Sequence, residues 1–510
     1  MSSQYQAARK HSITDRFKIF FFSVFTVGAG FLEPSLARSV LDLPTPQMLA
    51  AREGGHKQPQ AKSVSPEVTA FLNGPLVPAN LPATGIYPNG YQMHIGIYSP
   101  NPNSSIAVPN KSNLQRIMEG GFTVAGPYYG NDLEKKVQTI KEVARHGFHV
   151  AIQVAAPTSL LKDNVSEKDR PAVMRNMQDD ELRAHISNWM SAFLSDPDIE
   201  PLISSWAVAP EELRPGKQEE LRYLSVFTNE VRARDRRRRP IFNYQPNNRN
   251  ALALQKITND LDIVFMGAYL SAIGWSENRS TRLHWAMDQI IQAAQTGQKI
   301  PMVGLQLSKD LPGFTSSALS ESSETVNRLR TLIRHDMWLP LARGAKAIQI
   351  WSMEEKREDL TTHREQFDAY TSVAQEITGK KGLQTPLLFG AQRTDINAEI
   401  LSGPTSIQAN EEEPMAKPKA ADAPFLRDIF GRSWPSVTLS NLALSGSRTL
   451  VLVNSSKEPV RVGLAGIPAG LLCTDLVGGS ARQSARDQNR IVLNMPAFGV
   501  WVGRLNATER

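Results

Sequence analysis

The chain has 510 residues, 41% of them hydrophobic and 21% charged, with a formal net charge of +7. That balance excludes a disordered or fibrous protein, and the length exceeds what one ordinary core organises, so two or more domains are expected. No basic stripe is interleaved with aromatics, so nucleic acid is not an expected partner, and Arg236-Arg-Arg-Arg239 reads as the solvated end of a helix, where cations meet the negative pole of the dipole.

The first 37 residues have the form of an export signal. Arg9, Lys10, Arg16 and Lys18 make a basic lead, Ile19 to Leu32 is apolar, and Ser35-Leu-Ala37 offers small residues at the −3 and −1 positions of a cleavage site. The apolar stretch is shorter than the roughly 20 residues that span a bilayer. Cleavage is therefore expected, an uncleaved anchor is the alternative, and a periplasmic or secreted location follows. No later stretch is long enough to form an integral membrane span. Residues 38–90 carry many prolines and little periodicity, and are expected to form an irregular leader, either lying against the main domain or partly disordered.

From Tyr91 short apolar runs alternate with segments of 3.6-residue period, the signature of βα units. In chain order the pattern predicts a strand at 92–99, a helix at 111–120, a strand at 122–129 and a helix at 132–146. There follow a strand at 149–156, a helix at 179–195, a strand at 203–209, a helix at 218–234, a strand at 240–245 and a helix at 250–259. The series closes with a strand at 262–270, a helix at 280–296, a strand at 300–307, a helix at 321–343, a strand at 345–352 and a helix at 363–378. Ser280 and Ser320 suit helix N-caps, while Gly147 and Gly297 suit left-handed caps at helix ends. Eight units over 91–380 predict an α/β fold, a (β/α)8 TIM barrel. An open doubly wound sheet is the alternative, but no Gly-rich dinucleotide loop follows the first strand.

Beyond the eighth helix, in 381–510, the pattern changes. Residues 402–424, with Glu411-Glu-Glu413 followed by Lys, Pro and Ala, are biased and aperiodic, as in a mobile loop. Alternating runs at 436–444, 448–454, 459–464, 470–476, 490–494 and 498–504 then predict a small antiparallel β-sandwich. Cys473 is the only cysteine, so no intrachain disulfide forms.

In a barrel the chemistry sits at the strand C-termini. Those positions hold Tyr98, Tyr128 and Tyr129, Gln153, Trp206 with Glu211 and Glu212, Tyr244 and Gln245, Tyr269, Gln306, and Trp351 with Glu354 and Glu355 beyond. Ring faces stack on the C–H side of a pyranose, and amides and acids bond its hydroxyls, so a sugar is the substrate these residue types fit. Trp206-Ala-Val-Ala-Pro-Glu211 resembles the fourth-strand motif of the TIM-barrel glycoside hydrolases, and Ala342-Arg-Gly-Ala-Lys-Ala-Ile-Gln-Ile-Trp351 resembles their eighth strand. Leu450-Val-Leu-Val-Asn454 and Phe498-Gly-Val-Trp-Val-Gly-Arg504 resemble their terminal sandwich.

The resemblance implies Glu211 as the general acid; strand alternation then turns Glu212 away, toward Arg214 or Lys217 as a surface pair, unless it acts jointly with Glu211 and Tyr269 on a 2-acetamido sugar, as in substrate-assisted enzymes. Tyr98, Tyr128, Gln153, Trp206, Tyr244, Tyr269, Gln306 and Trp351 would bind a polysaccharide or oligosaccharide. Gln306 departs from the pattern, because it stands where the retaining enzymes carry their nucleophilic glutamate. Asp310, Glu354 or Glu355 activating water is one escape, and a non-catalytic polysaccharide-binding or export accessory protein is the competing reading. The histidines show no ligand spacing, so no metal and no cofactor are expected. His94 reads as a core residue.

Overall fold

A computed structural model describes residues 65–75, 92–98, 100, 113–128, 130–161, 165–270, 273, 275–306, 323–351, 364–379, 382–412, 424–478, 482–487 and 490–507. All of them fall in the unit Lys62–Arg510. Residues 1–37, where an export signal is expected, lie outside them, as do Tyr129, Asp310, Ser320, Glu354 and Glu355.

Eight parallel strands run as β1 (His94–Ile97), β2 (Val124–Ala125), β3 (His149–Val154), β4 (Ile203–Val208), β5 (Ile241–Phe242), β6 (Ile263–Gly267), β7 (Ile300–Gln306) and β8 (Ala347–Trp351). They form one sheet in the order β5-β4-β3-β2-β1-β8-β7-β6. The two outer strands then meet. Asp262 N–H donates to Ile241 O at 3.0 Å, Gln245 N–H to Phe265 O at 3.1 Å and Gly267 N–H to Gln245 O at 3.1 Å. Bonding across this seam leaves no open edge, so the sheet is a barrel and the open alternative is excluded. Strands β2 and β5 are shorter than the apolar runs that announce them. Pro127 and Pro240 bound them, and neither has an N–H for a ladder.

The helices are α1 (Pro66–Leu72), α2 (Asn113–Glu119), α3 (Leu133–Arg145), α4 (Thr158–Leu161), α5 (Arg170–Asn176), α6 (Asp179–Leu194) and α7 (Gln218–Arg234). They continue as α8 (Ala251–Thr258), α9 (Glu277–Gly297), α10 (Ser323–Ala342), α11 (Arg364–Thr378), α12 (Gln384–Phe389) and α13 (Pro424–Phe430). Eight of them stand where the 3.6-residue period puts them. One cap differs: Ser276, not Ser280, caps α9, its side chain accepting from Asn278 N–H. Ser280 is buried one turn further on. Similarly Gln298, not Gly297, takes the left-handed cap, while Gly147 holds φ +76° just past α3.

The C-terminal strands are β9 (Ala391–Gln392), β10 (Asn397–Ser402), β11 (Ser406–Gln408), β12 (Ser433–Pro435), β13 (Val437–Leu444) and β14 (Ser447–Asn454). After them come β15 (Val460–Ala465), β16 (Leu471–Asp475), β17 (Arg482–Asp487), β18 (Arg490–Met495) and β19 (Val500–Ala507). A five-stranded sheet β16-β19-β14-β13-β9 faces a four-stranded sheet β10-β15-β18-β17, and β11 pairs with β12 separately. Strand β14 is buried on both faces. Leu450 and Leu452 enter the sandwich core with Val462, Leu464, Leu493 and Trp501, while Val451 and Val453 join the core of the barrel. Its unbroken apolar run follows from that double burial.

Two segments without a periodic pattern contain regular structure. Within 402–424, Ser406–Gln408 is a strand, paired antiparallel with Ser433–Pro435; residues 413–423 lie outside the described residues. Within the 38–90 leader, Pro66–Leu72 is a helix, capped by Ser65, that sends Val68 and Leu72 into the sandwich core. Arg448 secures it, with its guanidinium 4.3 Å from the Phe71 ring centroid and its Nε donating to Phe71 O at 2.7 Å. Too short for its period to stand out among prolines, α1 owes its helicity to that packing.

Candidate active site

The loop after β4 carries Glu211 and Glu212 and is held from several sides. Tyr223 Oη donates to Ala209 O at 2.6 Å. Asn243 Nδ2 donates to Val208 O at 3.1 Å and Pro210 O at 3.0 Å, and is itself fixed by Gln245 Nε2 at 2.6 Å. Arg170 Nη1 donates to Glu211 O at 3.2 Å, and Glu212 N–H to Tyr244 O at 2.9 Å. Fully buried Glu220 accepts from Arg214 N–H at 2.5 Å and from its Nε at 2.8 Å. Within this frame Glu212 has φ +59°, a left-handed conformation that costs a non-glycine residue about 1–3 kcal/mol and persists where its surroundings over-determine it.

Opposite stands an aromatic wall. The inward faces of β5, β6 and β8 end in Tyr244, Tyr269 and Trp351, with ring centroids 6.1 Å apart for the first pair and 5.7 Å for the second. Phe265 supports Tyr244 edge-on at 5.3 Å. Gly267 makes room for that tyrosine, since a Cβ there would lie 2.5 Å from the Tyr244 hydroxyl. On the other side Tyr98 Oη donates to Glu211 Oε1 at 3.4 Å. Burial, before any charge, pushes the Glu212 carboxyl pKa up; nearby Glu167 adds to the shift, and Arg249 and Arg170 oppose it. Burial also raises both phenols, and the negative fields of Glu211 and Glu212 add to this, so Tyr244 and Tyr269 remain protonated donors at neutral pH. The site thus offers two adjacent carboxyl groups, one inclined to keep its proton, facing stacked rings and phenolic donors.

No known family matches the sequence, and no curated protein is similar to it. The chain is similar to solved structures of an alpha-amylase from Geobacillus thermoleovorans complexed with acarbose (10% identity, 82% of this chain and 99% of that one, TM-score 0.46). Others are an Anoxybacillus alpha-amylase (12% identity, 82% and 98%, TM-score 0.48) and a Nostoc punctiforme debranching enzyme (9% identity, 82% and 98%, TM-score 0.42).

The structure thus brings Tyr98, Glu211, Glu212, Tyr244, Tyr269 and Trp351 together. Gln306 pairs in register with Trp351, is half-buried, and its backbone oxygen accepts from Tyr370 Oη at 3.0 Å. Tyr128 is buried, donating to Pro100 O at 2.8 Å, and Gln153 is buried beneath the mouth. Trp206 does not reach the site. Strand alternation turns Ala207 inward and Trp206 outward, where it is fully buried and donates from Nε1 to Asp235 Oδ2 at 2.9 Å. Glu212 does not pair with Arg214, which is taken by Glu220.

His94 is a core residue, its Nε2 2.9 Å from Gln349 Oε1, and burial lowers its pKa to about 4. Among the described residues no group of three or more histidine, cysteine or acidic side chains is placed to hold a metal ion, and no helix is long and apolar enough to cross a membrane. Residues outside the sequence reading that shape the site are Asn243, Arg170, Tyr223 and Arg249. The dense polar run Asn243-Tyr-Gln-Pro-Asn-Asn-Arg-Asn250, directly after an apolar strand, is the signal that marks two of them.

Proposed function

We propose that the protein is a glycoside hydrolase acting on a polysaccharide or oligosaccharide, exported from the cytoplasm by its first 37 residues. The observation that carries this reading is the carboxyl pair on a hydrogen-bonded loop facing the Tyr244–Tyr269–Trp351 wall. A pyranose stacked on those rings would present its glycosidic oxygen to a proton donor across the mouth. The family resemblance assigns that donor to Glu211. Burial of Glu212 supports the reverse order, with Glu212 keeping the proton and Glu211, bonded by Tyr98, as the charged partner.

Gln306 at the end of β7 cannot act as a carboxylate nucleophile, which leaves water attack or help from a 2-acetamido group as the routes to cleavage. The same residue favours a second reading, a barrel that binds polysaccharide without cutting it. The test is turnover on a panel of soluble α- and β-linked polysaccharides by the wild type, Glu211→Gln and Glu212→Gln. Loss in one variant assigns the acid, and loss in both fits joint action. A wild type that binds a panel member without cleaving it establishes the second reading, and turnover intact in both variants removes the pair from catalysis. A reporter active only outside the cytoplasm, fused after residue 45, checks export; a dark reporter refutes it.

A further inference from the structure

Between the barrel and the sandwich lies a largely buried polar chain that the chemistry above does not use. Arg343 Nη1 lies 2.7 Å from His284 Nδ1, so that nitrogen is the acceptor and His284 Nε2–H donates to Ser455 Oγ at 3.1 Å. Burial, then the charge of Arg343, holds the His284 pKa well below its ordinary value, which keeps the ring in the neutral form this arrangement needs. Ser455 Oγ is 3.3 Å from His335 Nε2, and His335 Nδ1 is 3.1 Å from Asp336 Oδ1. With Nδ1–H given to the carboxylate, His335 Nε2 accepts, and Ser455 has a proton to give. Asp336 Oδ2 then receives Arg279 Nε at 2.8 Å and Nη2 at 2.5 Å, and Arg279 Nη1 donates to Leu270 O at 2.9 Å. Ser280 Oγ lies at the same 3.3 Å from His335 Nε2, so the two hydroxyls share that acceptor, and at the other steps donors meet acceptors. Ser455, His284, His335, Asp336 and Arg279 are all buried.

The two ends of this chain matter. Ser455 follows β14 in the sandwich, and Leu270 follows Tyr269 in the aromatic wall. Tyr370, which donates to Gln306 O, lies in the fields of Asp336 and Arg279. We infer that the sandwich is a working part of the site: the chain Ser455–His335–Asp336–Arg279–Leu270 O fixes the end of β6, making Arg279 a positioning residue for Tyr269. The importance of Tyr269 rests on the glycosidase reading; the mechanical link does not.

Hydrogen exchange followed by mass spectrometry on the full-length protein tests this. The amides of Gly267 and Ala268, bonded to Gln245 O and Gly304 O, report on the β6 end, and 149–154 in β3 serves as the reference. Ser455→Ala and Arg279→Met should speed exchange in 263–270 by roughly tenfold or more while 149–154 holds steady, and Arg279→Lys should restore part of the protection. Unchanged exchange in 263–270 in Ser455→Ala, or an equal rise in 149–154, would overturn the inference. Should Arg279→Met fail to fold, Ser455→Ala and Arg279→Lys still decide it. In whichever polysaccharide assay the wild type registers, Arg279→Met should weaken binding or raise KM more than it lowers kcat. A wild type inert to every polysaccharide sinks the glycosidase reading and leaves the exchange result standing.

Discussion

The loop at 209–214 and the junction around Ser455 are both crowded with polar groups, yet they are built to opposite ends. At the junction the chain from His284 through Ser455, His335 and Asp336 to Arg279 is hydrogen-bonded throughout and its side chains are buried. At the mouth the backbone is equally well tied, but Glu211 and Glu212 are only partly buried, and Glu212 holds a left-handed φ and a raised pKa. Matched burial makes a fixture, whereas strain and shifted proton affinity on a fixed frame make a group ready to react. Polarity alone does not distinguish the two; satisfaction does.

The largest effect expected is on turnover. Replacing whichever glutamate donates the proton by glutamine should cost about 10²–10⁴-fold in kcat and leave polysaccharide binding in place. A comparable loss on Ser455→Ala would erase the contrast between the two regions.

Next comes acid. The unfolded chain protonates His94 near pH 6.5, while the folded chain resists until about 4, so stability is full above pH 6.5 and falls as pH drops toward 4. The loss is on the order of 3 kcal/mol, and His284 adds to it with the same sign. Glu212 acts oppositely, since its raised carboxyl pKa means that the fold gains as pH falls through it. Urea midpoints between pH 8 and 4.5 should therefore drop in the wild type and drop less in His94→Asn. Equal slopes would show that His94 is not the source.

Smaller again, Gly267→Ala should destabilise by about 1–3 kcal/mol, because the new methyl meets the Tyr244 hydroxyl and the wall must shift. Trp351 fluorescence should change with it, and an unperturbed spectrum would argue against the packed wall. The smallest effect has the opposite sign. Glu212→Gly relieves the left-handed strain and should raise thermal stability by about 1 kcal/mol while abolishing Glu212's role in turnover. A destabilised Glu212→Gly would mean that the carboxyl contributes more to folding than its conformation costs.

The barrel was legible because its signals are local. Periods of 2 and 3.6 residues repeat through 92–378, and helix α7 occupies the span its pattern predicts, Gln218–Arg234. The site was legible only in part. Glu211, Glu212, Tyr244, Tyr269 and Trp351 follow from strand ends, whereas Trp206 misled because one residue of phase in β4 decides between mouth and outer core, and Asp235, its partner, lies 29 positions away. Strand β11 and helix α1 were missed for a related cause. Each is a short segment stabilised by partners distant in sequence, Ser433–Pro435 for one and Arg448 for the other. The Ser455 chain joins four separate segments, and no spacing in the sequence announces it.

The contact between Arg448 and Phe71 spans 377 positions. Helix α1 leaves the ribosome early, yet the sheet that receives it is finished only when β19, at the far end of the chain, has been made. Chain closure over that distance comes late and carries a large entropic penalty, so the barrel has time to form while the sandwich waits half-built. The apolar faces of β14 and β15 are uncovered in that interval, and nascent copies are most exposed there to mispairing with one another.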